Sequence, residues 1–445
     1  MNKTAHGNGG SKRNAMANFL ALAMLQAGNY VLPLVTLPII SRIIGPGYYG
    51  VINYVFAYVY YFVLFINAGF DLYGIRRVVE AGDDKTEVNA IVSRILVAKT
   101  YILAACALVF AVLVWVVPQL AAQKLVSLFA FLYCIGWVIN PSWVYHSMQE
   151  TRRFAVFSFI SKLVFSIAII VTIRERSDYL LHPLITSLSH VAVSFFSLRY
   201  ALRRYKIRVS WARLAAVKQT LLDIRHMSAM ELIRNQAHLT NLILAGSLLS
   251  IPDTGFYSAG LRIVIIFQSI ISMPLNTVLF PYIGASFRES ESAGLERVRR
   301  ILPYVFTLTL GISLAALLFA EPLIGFVFGH EFSSAVPLLR IFAFGLLLSN
   351  LNMALGQQVM LHLRFEAAYV RYLLAGFGFN IVLLPVLHRF WALEGTALAW
   401  PIAELLVFGL LVAFLRRRNI RLVDPLYCRP RHFYHNALSL IAFKR

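Results

Sequence analysis

Residues 95–117, ILVAKTYILAACALVFAVLVWVV, hold a single charge, Lys99, in an otherwise apolar run. As an α-helix rising 1.5 Å per residue, the run is about 34 Å long, enough to cross the ~30 Å hydrocarbon layer of a bilayer. A cation inside that layer costs roughly 2.5–3.5 kcal/mol even on the lenient insertion scale, so the run implies both a membrane span and a task for its charge. The same pattern recurs along the 445 residues, of which 59% are hydrophobic. Twelve spans follow, approximately 15–40, 49–70, 95–117, 125–145, 155–173, 179–198, 228–249, 255–280, 302–319, 336–360, 370–387 and 395–415. The fold expected is an all-α polytopic membrane protein with about twelve transmembrane helices in two six-helix lobes.

The net charge of +21 follows this topology rather than a nucleic-acid-binding surface. Of the 41 Lys and Arg residues, 31 fall in the termini and loops of one side and 5 in the loops of the other, with 5 inside spans. That asymmetry is the positive-inside pattern, and it places both termini in the cytoplasm. Lys12 and Arg13 precede an apolar run, but it continues uncharged to Ile40 and reads as an uncleaved first span rather than a signal peptide. Cys106, Cys134 and Cys428 are widely separated and form no metal or redox spacing.

The expected organisation is a cytoplasmic tail (1–14), a first lobe (15–200), a basic connector (201–226), a second lobe (227–415) and a basic tail (416–445). The connector, with Arg203, Arg204, Lys206, Arg208, Arg213, Lys218 and Arg225 beside Trp211 and Leu214, suits either an amphipathic helix on the cytoplasmic leaflet or a solvated link. A short internal repeat supports two halves: Gly47-Tyr48-Tyr49-Gly50 opens the second span after Pro46, and Gly255-Phe256-Tyr257-Ser258 opens the eighth after Pro252.

Five cations lie within spans: Lys99, Lys162, Arg234, Arg262 and Arg340. They outnumber the clearly intramembrane acids, Glu231 and Glu404, which points to a cavity that receives an anion. Each has a plainer reading. Lys99 and Arg340 lie near span ends and can snorkel; Arg234 can pair with Glu231 three residues before it. Helical spacing groups the uncharged polar residues as well. Glu231, Arg234, Asn235, His238 and Asn241 form one stripe on the seventh span. Asn18, Gln26, Asn29 and Thr36 share an arc of the first; Asn53, Tyr60, Asn67 and Asp71 share one on the second; Arg262, Ser269, Ser272 and Asn276 share one on the eighth. The simplest arrangement faces spans 1 and 2 toward spans 7 and 8 across a hydrated cleft, with Asn and Gln suited to sugar hydroxyls or to gating. Glu231, Glu404 and Asp71 are the candidates for ion coupling, with Arg76 near enough to pair with Asp71 and a protonated, hydrogen-bonded carboxyl as the alternative for Glu404. Tyr48, Tyr49, Tyr54, Tyr58, Tyr60 and Tyr61 read mostly as an interfacial belt and packing. No nucleotide-binding loop, metal-ligand cluster or other enzymatic motif is present, so no cofactor is expected.

Four motifs carry a family resemblance. Leu37-Pro38, Ser41-Arg42-Ile43-Ile44-Gly45-Pro46 and Tyr48-Tyr49-Gly50 resemble an R-x-L-G-P-x-x-x-G signature. Asn67-Ala68-Gly69-Phe70 with Tyr73-Gly74-Ile75-Arg76 is similar to F-G-F-x-x-Y-G-x-R. Gly255-Phe256-Tyr257-Ser258-Ala259 is similar to G-x-Y-S-A, and Gly395-Thr396-Ala397 with Glu404 to G-x-x-G-A-A followed by Glu. The chain thus resembles the bacterial lipid-linked oligosaccharide flippases, translocases of O-antigen and exopolysaccharide repeat units within the multidrug/oligosaccharidyl-lipid/polysaccharide superfamily. It departs from the pattern in Gly-Thr-Ala for G-A-A, in Glu394, and in a more highly charged seventh span. The resemblance implies twelve or fourteen helices in two six-helix lobes, alternating access in a bacterial inner membrane, and an undecaprenyl-diphosphate-linked oligosaccharide as cargo. Polysaccharide polymerase and chain-length proteins are the implied partners beside the lipid bilayer. Buried Arg and Lys suit the diphosphate. A multidrug exporter of the same superfamily, a glycan polymerase or ligase, and a peptidoglycan-precursor flippase are the other readings. The first would call for an acid-rich lumen and the second for a large outer loop.

Overall fold

The computed structural model describes residues 8–235, 237–420 and 422. The chain is helical, with no strand among the described residues. Nine of its helices, among those residues, are long and apolar enough to cross a membrane. The chain is therefore a multi-pass membrane protein of the all-α class. Two of these helices are interrupted where the sequence placed short loops. Asn8–Asn67 leaves helical geometry at Gly45 (φ 72°, ψ 175°), between the first and second expected spans. Glu366–Arg417 does so at Trp391 and Ala392, between the eleventh and twelfth. Gly395 is required beside this second break, because a Cβ there would overlap the Leu387 carbonyl oxygen. The fourth expected span is not one continuous helix. It runs as Lys124–Phe131, Tyr133–Val138 and Ser142–Ser147, broken where Pro141 has no N–H to donate and Asn140 Oδ1 accepts from Ser142 N at 3.0 Å.

Packing divides the chain into two units, Met1–Ile243 and Leu244–Arg445. Both contain long apolar faces that are exposed within the unit, such as Leu108 (73%) and Trp115 (78%) on the helix Lys85–Val116. Such faces are liabilities in water and ordinary in lipid.

In the first unit, Phe70–Ala81 and Lys85–Val116 pack with Leu214–Asn235 around Phe70, Val92, Ile95, Trp143, Val217 and Ile224. Asp84 caps Lys85–Val116, its Oδ1 accepting from Thr86 N at 2.9 Å and Glu87 N at 3.2 Å. The connector is mostly exposed and only part of it is helical. Residues 206–213 are non-helical, and Asn89 Oδ1 and Ser93 Oγ accept from the backbone N–H groups of Arg208 (2.9 Å) and Ser210 (3.0 Å). A strap results, and the helix that follows it begins at Leu214. That helix, which begins inside the expected connector, and the start of Ala237–Leu248 pack within the first unit.

In the second unit, Ile251–Pro274 begins at Ser250, whose Oγ accepts from Asp253 N at 3.2 Å. Two wide π-helical turns interrupt its long helices, at Leu275–Leu279 and Gly356–Met360. They are joined across the core: Leu275 O, already accepting from Phe280 N as a π turn demands, also accepts from Gln358 Nε2 at 2.9 Å. Such turns are rare and recur at functional sites.

Candidate functional site

In the first unit, the second span ends at Asn67 and the next helix begins at Phe70. The turn between them uses Gly69 at φ 76°, which an L side chain adopts only with strain. Its exposed backbone groups are taken up by the helix Leu214–Asn235. Gly69 N donates to Glu231 Oε2 at 2.8 Å, and Ser228 Oγ donates to Ala68 O at 2.8 Å. Tyr61 and Thr240 hydroxyls form a third link. Behind this turn Lys99 is buried. Its Nζ donates to Asn67 Oδ1 at 2.6 Å and lies 3.5 Å from Asp71 Oδ1, while Asn67 Nδ2 donates to Asp71 Oδ2 at 3.3 Å. The Lys99 side chain is 1% exposed and that of Asp71 38%. Glu231 adds a second negative charge within electrostatic reach of the ammonium.

This geometry corrects two expectations. Lys99 does not snorkel: its head is enclosed, and it answers to protein groups rather than to an open cavity. Asp71 does not pair with Arg76, which instead bonds Glu80 at 2.7 Å on the exposed face of its own helix. Asp71 is drawn inward because a buried ammonium offers far stronger compensation than a solvated guanidinium.

In the second unit the buried ionisable group is an acid. Glu404 Oε2 accepts from Asn352 Nδ2 at 2.7 Å and Oε1 from Trp400 Nε1 at 3.0 Å. Asn352 Nδ2 also donates to the Glu404 carbonyl at 2.9 Å. Ser349 completes the donor set and accepts from Gln268 Nε2 at 3.1 Å. Among the described residues, only neutral groups answer this carboxylate. Trp400, four residues before Glu404 on the same helix, was legible from spacing. Asn352, Ser349 and Gln268, on neighbouring helices, were not. Close by in sequence, the buried side-chain oxygens of Asn350, Asn352 and Gln358 have no hydrogen-bond partner among the described residues.

The remaining candidates are dispersed. Arg262 is exposed on Ile251–Pro274 and shares its face with Ser269 and Asn276, both exposed. Gly260 of that helix lies against Leu338 and Phe342 of Ala335–Leu355. Arg262 is about 200° around from Gly260, and Arg340 is about 200° around from Leu338. The two arginines therefore project to opposite sides of the helix pair, and one anion does not meet both there. Arg340 shares its face with Phe344, 51% exposed, which favours the snorkelling reading. Neither arginine has a carboxylate partner among the described residues. Lys162 is half-buried on Thr151–Thr172 and has contacts of its own. Asn53 spends its amide on Tyr49 O at 2.7 Å, and Asn241 is buried with partners. The side chains of Asn18, Gln26, Asn29, Arg234, Asn235 and His238 lie outside the described residues, and with them the proposed Glu231–Arg234 pair.

Comparison with known proteins sets this architecture in a family. The chain is 22% identical over 415 residues to a protein of Escherichia coli (strain K12) named "Putative O-antigen transporter", covering 92% of this chain and 99% of that one. Among solved structures, it resembles the Lipid II flippase MurJ in an inward closed conformation, with a TM-score of 0.72 at 12% identity, over 89% of this chain and 87% of that one. It also resembles an inward-facing multidrug resistance MATE family transporter of the MOP superfamily, with a TM-score of 0.68 at 12% identity, over 86% and 97% of the two chains. At such low identity these two likenesses establish the fold. The family model described as "Polysaccharide biosynthesis protein" matches residues 15–287, more than half of the sequence, and the chain belongs to that family.

Proposed function

We propose that this protein is a flippase that moves an undecaprenyl-diphosphate-linked oligosaccharide repeat unit from the cytoplasmic to the periplasmic leaflet of a bacterial inner membrane. It works by alternating access, with twelve spans and both termini in the cytoplasm. The observation that carries the reading is the Arg262–Ser269–Asn276 face: a guanidinium with no carboxylate partner among the described residues heads a polar stripe on a membrane-crossing helix. An unpaired guanidinium suits a diphosphate by bidentate hydrogen bonding, and the hydroxyl and amide further along suit sugar hydroxyls. Arg234 and Lys162 are the other proposed contacts to the anionic headgroup. Lys99 is left out, since its ammonium is already answered. Family membership and the names carried by the Escherichia coli relative and the first of the two solved structures support the same direction.

An inside-negative potential favours outward movement of an anionic headgroup by about 2.3 kcal/mol per charge at 100 mV, if the charge crosses the full field. Glu404 is the proposed place for any ion coupling, because its carboxylate carries no fixed counter-charge. The multidrug-exporter reading calls for acids free to meet a cationic drug. Glu231 is engaged with the Gly69 backbone in the first unit, which weighs against it. Polysaccharide polymerase and chain-length proteins are the partners that would take the unit on the outer side, and no covalent step is assigned to this chain.

The test is deletion of the chromosomal copy followed by leaflet-resolved analysis of lipid-linked oligosaccharide. Accumulation on the inner leaflet with loss of surface polysaccharide is the expected result, and unchanged surface polysaccharide overturns the reading. Arg262→Glu and Arg234→Glu should each insert normally and fail to complement the deletion. Full complementation by both removes the guanidinium site while leaving the cargo open to a different site.

A further inference from the structure

The second unit contains a cavity of about 850 Å³ that the proposed cargo site does not use. Phe306 of Glu291–Leu318, Leu351 and Leu355 of Ala335–Leu355, and Phe408 of Glu366–Arg417 form its walls, while Arg416 and Asn419 stand at one end. The walls are mostly apolar, and their one hydroxyl, that of Thr307, already donates to Pro303 O at 2.8 Å; hydrocarbon suits such a lining better than solvent does. The end is different in kind. Arg416 is followed by Arg417 and Arg418, and the Arg418 guanidinium is held over the rings of Phe365 and Phe414, 5.5 and 5.7 Å from their centroids. That stacking holds a second positive charge at the same end of the helix, outside the cavity lining. No carboxylate among the described residues pairs with Arg416.

We propose that this cavity is a binding site for an anionic phospholipid, one acyl chain lying along the apolar walls and the phosphate headgroup meeting Arg416. Two arguments select that occupant. A tail gains little by moving from lipid into an apolar groove, because the bilayer is equally apolar, so selectivity must come from the headgroup end. The headgroup end is cationic, and basic pockets between helices on the cytoplasmic side take anionic lipid headgroups. With the orientation proposed above, Arg416–Arg418 lie at the level of the inner-leaflet phosphates. The site is also well placed to influence the helices around it: Leu351 and Leu355 lead directly into the π-helical turn Gly356–Met360. An occupied groove props that turn from one side.

Native mass spectrometry of the detergent-purified full chain, titrated with phosphatidylglycerol or phosphatidylethanolamine in the absence of any cargo, tests the site. Phosphatidylglycerol should be retained about five-fold better, in line with a single Arg near an anionic headgroup. Arg416→Gln, an exposed change that leaves the core alone, should bring the two lipids to within two-fold of each other. Thr307→Phe, which puts a ring into the cavity from an exposed position on its wall, should lower retention of both. Equal retention of the two lipids by the unaltered protein, or retention unaffected by either variant, overturns the proposal. Displacement of bound phosphatidylglycerol by undecaprenyl phosphate at equal concentration also overturns it, assigning the groove to the prenyl tail instead. Because transport is not measured, none of these outcomes depends on the flippase reading.

Discussion

Lys99 in the first unit and Glu404 in the second are both buried in helices that cross the membrane, yet they are compensated in different ways. Lys99 meets a charge, Asp71, through an arrangement that also involves Asn67 and the Glu231 bond to the Gly69 turn. Glu404, among the described residues, meets amide, indole and hydroxyl groups only. An ion pair with a buried ammonium penalises any motion that separates its partners. A carboxylate held by neutral donors can gain or lose a proton or an ion without abandoning a counter-charge. The first arrangement is a fixed joint at the end of the second span; the second is a place where charge can change during a cycle.

The largest expected effect breaks the joint. Asp71→Asn leaves a lysine of 1% side-chain exposure without its ion-pair partner; with Asp71 itself 38% exposed and Asn67 still accepting from the ammonium, the loss should be about 1–3 kcal/mol, read as a lower unfolding temperature and reduced yield in membranes. Lys99→Met combined with Asp71→Asn should recover much of the loss, because removing both charges leaves none stranded. If the single and double variants are equally stable, the pair is not a joint. Glu404→Gln tests the other side. It keeps the shape but turns one acceptor into an amide facing Asn352 or Trp400, a loss of about 1–3 kcal/mol. This variant should still insert while polysaccharide export falls; full export would remove Glu404 from any coupling role.

The contrast between the two groups was only half legible in the sequence. The spans were visible because apolar runs and Lys/Arg asymmetry are one-dimensional signals. The breaks at Gly45 and at Trp391–Ala392 fell where the hydropathy pattern had placed loops. Asn67 and Asp71, placed on one arc of the second span, do meet, although the turn at Gly69 puts Asp71 on the next helix. What failed was the choice of partner across helices. Asp71 has Arg76 five residues away and Lys99 twenty-eight away, and proximity along the chain favoured the wrong one. The decisive consideration was energetic: an exposed Arg does not need an acid, and a buried Lys does. The π-helical turns at 275–279 and 356–360 left no periodic trace, because one inserted residue shifts the phase of a helix without changing its composition.

A smaller effect tests how the joint is tied to the helix Leu214–Asn235. Gly69→Ala forces a Cβ into a left-handed conformation, 2.9 Å from Ser228 Oγ and 3.1 Å from Ser228 N. The strain alone is worth about 1–2 kcal/mol. Ser228→Gly should relieve only the steric part, so the double variant should stay less stable than Ser228→Gly alone in thermal unfolding. In the second unit the matching probe is His362, which lies in the connection after Gly356–Met360 and is stacked on Phe280 and Phe287 at 4.5 and 5.2 Å. Burial holds its imidazole below the ordinary value of 6.5, against the opposing pull of the Phe280 carbonyl. The folded state therefore prefers the neutral ring. Stability should be full above that value and decline as the pH falls through the window beneath it. His362→Gln should flatten the decline in a thermal-unfolding series from pH 7.5 to 5.

Arg76→Ala should have the smallest effect and is the control for the whole comparison. Arg76 bonds Glu80 at 2.7 Å, a shorter contact than the 3.5 Å between Lys99 and Asp71. If distance alone set the strength of an ion pair, Arg76→Ala would be the more damaging change. But its side chain is 66% exposed and that of Glu80 44%, so water already solvates both charges and their separation is nearly free. Exposed pairs of this i,i+4 kind contribute little and weaken further with salt. Arg76→Ala should therefore shift the unfolding temperature by a small fraction of the Asp71→Asn shift, and the difference should shrink at high ionic strength. The Asp71→Asn loss should persist there, since counter-ions do not reach a buried ammonium. A salt-insensitive Arg76→Ala loss as large as that of Asp71→Asn would mean that burial is not what separates the two pairs.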